Sequence, residues 1–461
     1  MKKKVLLCIM LSCLLFIPQK VSAFLSLVSV EEISYQQLLE HWSPRVYQDV
    51  HPDYDVRADF ITRINLDGDW LSTNQWETVD TEPLEAYVYT SVSETESHYF
   101  VGYYFYHPRD DGPDWGAFGD EAHENDLEGI MLGIKKNGNF GEFVAMNTIR
   151  HSDFYQYANG SISEGYETID NSVSFYDGSH PEIFISSNGQ YVLNTNPHGH
   201  DIQAYTGDVD VGNDAIIYEY TGQADIPSEV SPPWEHVYGY DMLPLDELWD
   251  LKTTYQNTPF QSFGAFGSSV GDGNANAPWN WSDTDHQDNG TVGYGVFVSD
   301  PAYMFDVHFN KLGSDFSHQY ISNSYWTHKI TLNWVQPIKA EDYSNENDLY
   351  VDIWVDGKKY IGERMWKKNN AKADGTKYYP TWGSNDNAVS TIDFSSKSNT
   401  IYIAREPGSK VKLEVFDSDG TSADDSLGYI EITPNAGEAF ELTNLKTSNG
   451  GAYLDAIVET R

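Results

Sequence analysis

His123, Asp126 and Glu128 lie in the run His123-Glu124-Asn125-Asp126-Leu127-Glu128-Gly129, which leads directly into the apolar Ile130-Met131-Leu132-Gly133-Ile134. Two carboxylates spaced two apart at the mouth of a strand project to one face. An imidazole from the preceding loop can swing onto that face, while Leu127 points the other way, into a core. Such a set suits a divalent ion, with carboxylates favouring calcium, magnesium or manganese. A zinc-protease helix is excluded, because its second histidine would fall at position 127, which is leucine. A metal beside a carboxylate can also activate water, which leaves a general-base role for Glu128 or His123 open. Ser152 and Ser179 sit in no Gly-x-Ser-x-Gly elbow.

A second constellation occupies the last 135 or so residues. The strand pattern Thr331–Val335 leads to Asp342, and Asp348 follows six residues later, just ahead of the alternating run Leu349–Val355. The strand pattern Val411–Phe416 delivers Asp417 and Asp419, with Asp425 eight beyond Asp417. Two loops at one end of a β-sandwich, each with spaced aspartates, can surround calcium with hard oxygen ligands. An EF-hand is excluded because Gly428 stands where the twelfth-position glutamate belongs. Turn-forming aspartates in an ordinary sandwich are the plainer alternative.

The elements that must position these residues read as strands. Leu84–Val92, Tyr99–Tyr106, Gly129–Lys135, Glu142–Thr148, Glu182–Ser186 and Ala215–Tyr220 are short aromatic or β-branched runs bounded by turn residues. Ser29-Val30-Glu31-Glu32 reads as a capping box opening a helix to about Trp42, and Leu243–Leu251 as a short helix. Asp67-Gly68-Asp69 is a turn signal, Ser262–Gly273 a glycine-rich loop, and Ala277–Asp288 a polar, aromatic loop of the kind that rims a pocket. A fresh β pattern begins at Thr327. The expected fold is all-β: a signal peptide (1–23), a large β-sandwich-like domain with a few short helices (24–325), then an antiparallel β-sandwich (326–461).

Bulk properties narrow the function. A net charge of −42 over 461 residues argues against nucleic-acid binding and against unaided attraction to anionic membranes. Lys2-Lys3-Lys4, the apolar Val5–Ile17 and Val21-Ser22-Ala23 form a bacterial-looking signal peptide, so a secreted protein is expected. No later run is long enough to span a membrane. Both cysteines, Cys8 and Cys13, fall in that leader, which leaves the mature chain with neither disulfide nor thiol chemistry.

Upstream of the first constellation stands Tyr103-Tyr104-Phe105-Tyr106-His107-Pro108-Arg109-Asp110. Tyr-rich strand, aspartate, loop, His-x-x-Asp-x-Glu and strand, in that order, resemble the necrosis- and ethylene-inducing-peptide-like family of secreted cytolysins and the related vacuolar-protein-sorting type domain. The resemblance implies one divalent cation on Asp110, His123, Asp126 and Glu128. Glu124, Asn125 and Leu127 depart from the family heptad, and Asp111, Asp114 or Asp120 could replace Asp110. Pro197-His198-Gly199-His200-Asp201 resembles a further family segment, which could bring His198 or His200 to the same pocket. The C-terminal pattern resembles the calcium- and phospholipid-binding C2 domain. That likeness implies calcium on Asp342, Asp348, Asp417, Asp419 and Asp425, with Asp424 competing with Asp425. The loop tips Ser344, Asn345, Ser418, Gly420 and Thr421 are polar, which disfavours insertion into the bilayer. Together the resemblances imply a secreted, calcium-dependent binder of membrane lipid or glycolipid headgroups, of cytolysin type. An extracellular metal-dependent hydrolase with a targeting module, and a calcium-stiffened adhesion protein, are the other two readings.

Overall fold

The computed structural model describes residues 33–461 except 53–54, 72, 112–121, 151–152, 161, 189–198, 208, 210, 272, 284–291, 310–314, 340–345, 362–365, 383, 386–397 and 420–422. The expected signal peptide with Cys8 and Cys13, the Ser29–Glu32 motif, Asp114, Asp120, His198, Asp342 and the loop tips Ser344, Asn345, Gly420 and Thr421 lie outside the described residues.

The first helix, α1 (Tyr35–His41), begins later than Ser29–Glu32 would place it. Ser34 caps it, its hydroxyl accepting from the Gln37 N–H while the Gln37 side chain accepts from the Ser34 N–H. Twelve strands follow, with α2 (Gln75–Thr81) among them: β1 (Arg45–Asp49), β2 (Tyr87–Thr95), β3 (His98–Asp110), β4 (His123–Lys135), β5 (Glu142–Arg150), β6 (Asp153–Ala158), β7 (Ile169–Asn171), β8 (Phe175–Tyr176), β9 (His180–Ile185), β10 (Ile202–Ala204), β11 (Ala215–Tyr220) and β12 (Val237–Pro244). After these come α3 (Asp246–Trp249), the hairpin β13 (Phe260–Ser262) and β14 (Ala265–Phe266), α4 (Val296–Ser299), α5 (Pro301–His308) and β15 (Tyr320–Ser322). A single large sheet runs β10-β9-β1-β11-β12-β2-β3-β4-β5-β6-β7, with β15 on β2 and β8 on β9. It is mixed: β1 is parallel to β9, and β12 is parallel to both β11 and β2.

Side chains of β3 and β4 alternate between two cores, as the period of two requires. Tyr103, Phe105, Ile130 and Leu132 pack with Leu38, Trp42 and Val46 on one face. Tyr104, Tyr106, Leu127 and Met131 pack on the other against Trp281, Phe297 and Phe305. All eight residues of α5 are buried, so the helix carries no amphipathic stripe and no periodic sequence signal. The helix expected over Leu243–Leu251 is confined to Asp246–Trp249, because β12 runs on through Pro244.

The remaining strands are β16 (His328–Pro337), β17 (Glu346–Val355), β18 (Lys358–Ile361), β19 (Trp366–Lys372), β20 (Ser384–Asn385), β21 (Thr400–Ile403), β22 (Val411–Asp417), β23 (Asp425–Ile432), β24 (Ala439–Lys446) and β25 (Ala452–Thr460). They form two sheets, β21-β16-β25-β24 and β20-β19-β17-β22-β23, the latter with β18 on β17. Ile330, Leu332, Val351, Leu413 and Val458 fill the space between them, and this core is continuous with the one that holds Trp281 and Phe305. The chain is thus all-β with a few short helices.

Candidate functional site

β3 and β4 pair along their whole length, from His98↔Lys135 to Asp110↔His123. On the other edge of β4 the β5 ladder starts only at Ile130↔Thr148. Residues 123–128 therefore project past β5, and a pocket of about 220 Å³ opens beside them. His123, Asp126 and Glu128 line it on the β4 side, with Asn274, Asn276 and Trp281 among the residues opposite. Trp281 comes from the stretch read in the sequence as a pocket rim, and it packs close over the strand. A Cβ on Gly129 would lie 2.7 Å from the Tyr104 ring and 3.1 Å from the Trp281 ring, so only glycine allows this approach.

His123 is the first residue of β4 rather than a loop residue. Plain alternation would send it to the face opposite Asp126, three positions on. Between them Asn125 adopts a left-handed backbone, φ 63°, which breaks the alternation. Asparagine tolerates that conformation, and here its side chain is pinned at both ends. Its Oδ1 accepts from the Tyr106 hydroxyl at 2.8 Å, and its Nδ2 donates to the Gly267 carbonyl at 2.6 Å. Glu124 is buried and serves the scaffold. It accepts from the backbone N–H groups of Trp76 and Ser269.

Asp110 is the register partner of His123, its Oδ2 lying 3.7 Å from His123 Nε2. Its Oδ1 is buried and has no hydrogen-bond partner among the described residues. A desolvated carboxylate oxygen in that state calls for an ion or water. Three carboxylates and one imidazole are donors of the kind a hard divalent cation takes, although the described acidic and imidazole groups whose donor atoms lie within 4.8 Å of one another are His107, Asp126 and His200 rather than these four. The backbone N–H of Asp111, next along the chain, donates to the Asn188 side chain.

Behind the pocket, Asp126 is tied into the core. His200 Nδ1 lies 2.7 Å from Asp126 Oδ2, and His200 Nε2 lies 3.2 Å from Asp59 Oδ1. Asp59 is itself held by the backbone N–H groups of His51 and Asn188. Burial alone would pull the His200 ring down, yet its bonds to Asp126 and Asp59 and their charges hold it up at about 10. His200 thus bridges Asp126 and Asp59, the Asp59 carboxyl itself being pushed up by burial against the pull of His200. His107 stacks on it at 3.7 Å, with burial and the His200 charge pushing its own pKa well below the usual range. Donor atoms of His107, Asp126 and His200 all come within 4.8 Å of one another. The two rings are nearly parallel, 5° apart, and both His200 nitrogens face carboxylate oxygens. Like Asn125, His200 has a left-handed backbone, φ 59°. Asp59 carried no sequence signal, since a lone aspartate in Val56-Arg57-Ala58-Asp59 has no spaced partner.

The C-terminal aspartates also gather at one end of a sheet. Asp417 is buried at the end of β22, and its Oδ1 accepts from the Asp348 backbone N–H at 2.6 Å. The Asp348 carbonyl accepts from the Ser418 N–H, and its side chain accepts from the Asn370 N–H. Asp425 is the register partner of Asp417, which places both side chains on one face. Asp424 binds locally instead, accepting from the Asp419 N–H at 3.0 Å and the Tyr350 hydroxyl at 2.6 Å. The structure therefore brings together Asp348, Asp417, Asp419, Asp424 and Asp425.

No protein-family model and no curated protein matches the chain. Among solved structures it is similar to a C2 domain, 14% identical over 29% of this chain and 99% of that one, with a TM-score of 0.21. It is also similar to NLPPya in complex with glucosamine, 16% identical over 55% of this chain and 87% of that one, TM-score 0.28. A third, described as a toxin fold for microbial attack and plant defense, is 16% identical over 49% of this chain and 84% of that one, TM-score 0.26. Both kinds of resemblance drawn from the residues thus recur among solved structures, weakly and over part of the chain.

Proposed function

We propose that this protein is exported and binds lipid or glycolipid headgroups at a membrane surface in a divalent-cation-dependent manner, as a cytolysin-like effector. The observation that carries this reading is the pocket at the end of β4. There His123, Asp126 and Glu128 line one pocket, and the adjoining Asp110 has a buried carboxylate oxygen without a hydrogen-bond partner among the described residues. Asp110, His123, Asp126 and Glu128 would hold calcium, magnesium or manganese. Such an ion would supply a positive centre able to bridge to hydroxyl or phosphate oxygens. The acidic chain otherwise repels an anionic surface, with a net charge of −42. Asp348, Asp417, Asp419 and Asp425, joined by Asp342, would form a second calcium site. Among the described residues no helix is long and apolar enough to cross a membrane.

Co-sedimentation with mixed-lipid vesicles, in calcium and in chelator, tests the reading. Binding in calcium that disappears in chelator, and weakens in both Asp126→Asn and the double variant Asp417→Asn/Asp419→Asn, is expected. Absence of binding to any lipid composition, with calcium still raising the melting temperature, would replace the reading with a purely structural role for the cation.

A further inference from the structure

The wall of the β4 pocket is anchored to the C-terminal sheets. Asn276 and Trp281 line the pocket, and Trp281 Nε1 donates to the Asn276 carbonyl at 2.8 Å. The Asn276 side-chain oxygen accepts from Asn280 Nδ2 at 2.7 Å. Asn280 Oδ1 in turn accepts from Arg405 Nη1 at 2.9 Å. Arg405 follows β21 and is fixed there by other bonds. Its Nε donates to the Tyr360 hydroxyl at 2.8 Å, its backbone N–H donates to Thr327 Oγ1 at 2.7 Å, and its guanidinium lies over the Tyr294 ring at 4.5 Å.

We infer that Arg405 is a positioning residue for the β4 pocket: through Asn280 and Asn276 the C-terminal sheets hold the pocket wall in place, so the pocket is complete only with those sheets docked. Two features support the relay. Each link is a directed hydrogen bond between partly buried side chains, and the first is charge-assisted and therefore stronger than a neutral one. Arg405 is oriented by contacts at its backbone, Nε and ring face, so its fork arrives already aimed at Asn280. The segment carrying Asn276 and Asn280 is also held by backbone bonds, from Phe266 N–H to the Ala275 carbonyl, Ala277 N–H to the Gly264 carbonyl, Asn280 N–H to the Ala277 carbonyl and Gly295 N–H to the Trp281 carbonyl, so the relay adds a side-chain tie to a seated wall. An interaction at the C-terminal sheets thereby has a mechanical path to the cation pocket. The functional value of the relay rests on the reading of that pocket given above, but the relay itself does not.

Hydrogen exchange of the full-length protein, read on peptides covering 274–281, tests it without any ligand. Arg405→Ala is expected to speed exchange at the Ala277 and Asn280 amides about tenfold or more, as loss of a charged hydrogen bond implies. Arg405→Lys, which keeps the charge but not the fork, should do the same, and so should Asn280→Ala. Lys358→Ala, which removes a cation over the Tyr294 ring and a hydrogen bond to its hydroxyl, should leave these amides at wild-type rates. Should Arg405→Ala fail to fold, Asn280→Ala carries the test. Wild-type exchange at 274–281 in Arg405→Ala and Asn280→Ala, with changes confined to Thr327, Tyr360 and β21, would overturn the inference. A calcium titration of the same variants separates the two claims. Faster exchange in a protein whose wild-type pocket takes no cation would keep the relay and remove the proposed function.

Discussion

Replacing Asp300 by asparagine probes how the chain is stitched together. Asp300 is fully buried where α5, β15 and β21 meet. Its Oδ1 accepts from the Tyr320 hydroxyl at 2.8 Å and from the Tyr303 N–H at 3.4 Å, which caps α5. Its Oδ2 accepts from the Tyr402 N–H at 3.1 Å. Burial pushes its carboxyl up from 3.8 to about 6, against the pull of His318 and these donors. The folded state therefore holds this proton more tightly than the unfolded chain does. Its contribution to stability is fully present below pH 3.8 and is lost as pH rises through about 6. A shift of this size corresponds to about 3 kcal/mol, of which roughly 2 kcal/mol falls between about pH 4.5 and about pH 7.5. Asp300→Asn removes the ionisation. Urea unfolding at those two pH values should show that the wild type loses about 2 kcal/mol more than the variant on going to the higher pH. The other carboxyls cancel in this comparison. The variant turns an amide N–H toward that of Tyr402, which lowers its stability at both pH values by about 1–3 kcal/mol without affecting the difference. A variant with the wild-type pH dependence would refute the assignment of a buried, proton-holding carboxyl.

Two further outcomes bear on the β4 pocket. His200→Ala leaves Asp59 and Asp126 buried without the ring that joins them, so unfolding free energy should fall by about 3–5 kcal/mol. A loss below about 1 kcal/mol, the range of an exposed ion pair, would contradict the bridge. Gly273→Ala places a methyl group 2.8 Å from the His123 ring, which must then shift from its place beside Asp110. Calcium affinity at the pocket should weaken about tenfold, the scale expected when a ligand's support is lost, with the melting temperature nearly unchanged. Unaltered affinity would remove His123 from the ligand set.

What could be read from the residues was local. The strand runs, the carboxylate pair Asp126/Glu128 and the aspartate spacing around Asp417 all depend on neighbours a few positions apart, and each lies on a strand or at its end. His200 was within reach because a His-Gly-His segment is conspicuous. What escaped depends on distant pairing. The parallel contacts of β1 with β9 and of β12 with β2 join segments more than a hundred residues apart, which no periodicity encodes. α5 escaped because burial on every side erases its stripe. Asp59 escaped because its importance lies in a fold-dependent bond to His200. Asn125 was read only as a departure from a heptad, whereas its left-handed backbone is what turns His123 onto the face of Asp126.

The measurement that bears most directly on the central claim is isothermal calorimetry of residues 24–461 with calcium, repeated with Asp126→Asn/Glu128→Gln and with Asp417→Asn/Asp419→Asn. The account predicts binding at both the β4 pocket and the β22 loop, with each double variant abolishing its own phase while still unfolding cooperatively. Saturation unchanged by Asp126→Asn/Glu128→Gln, in calcium and equally in magnesium and manganese, would contradict it.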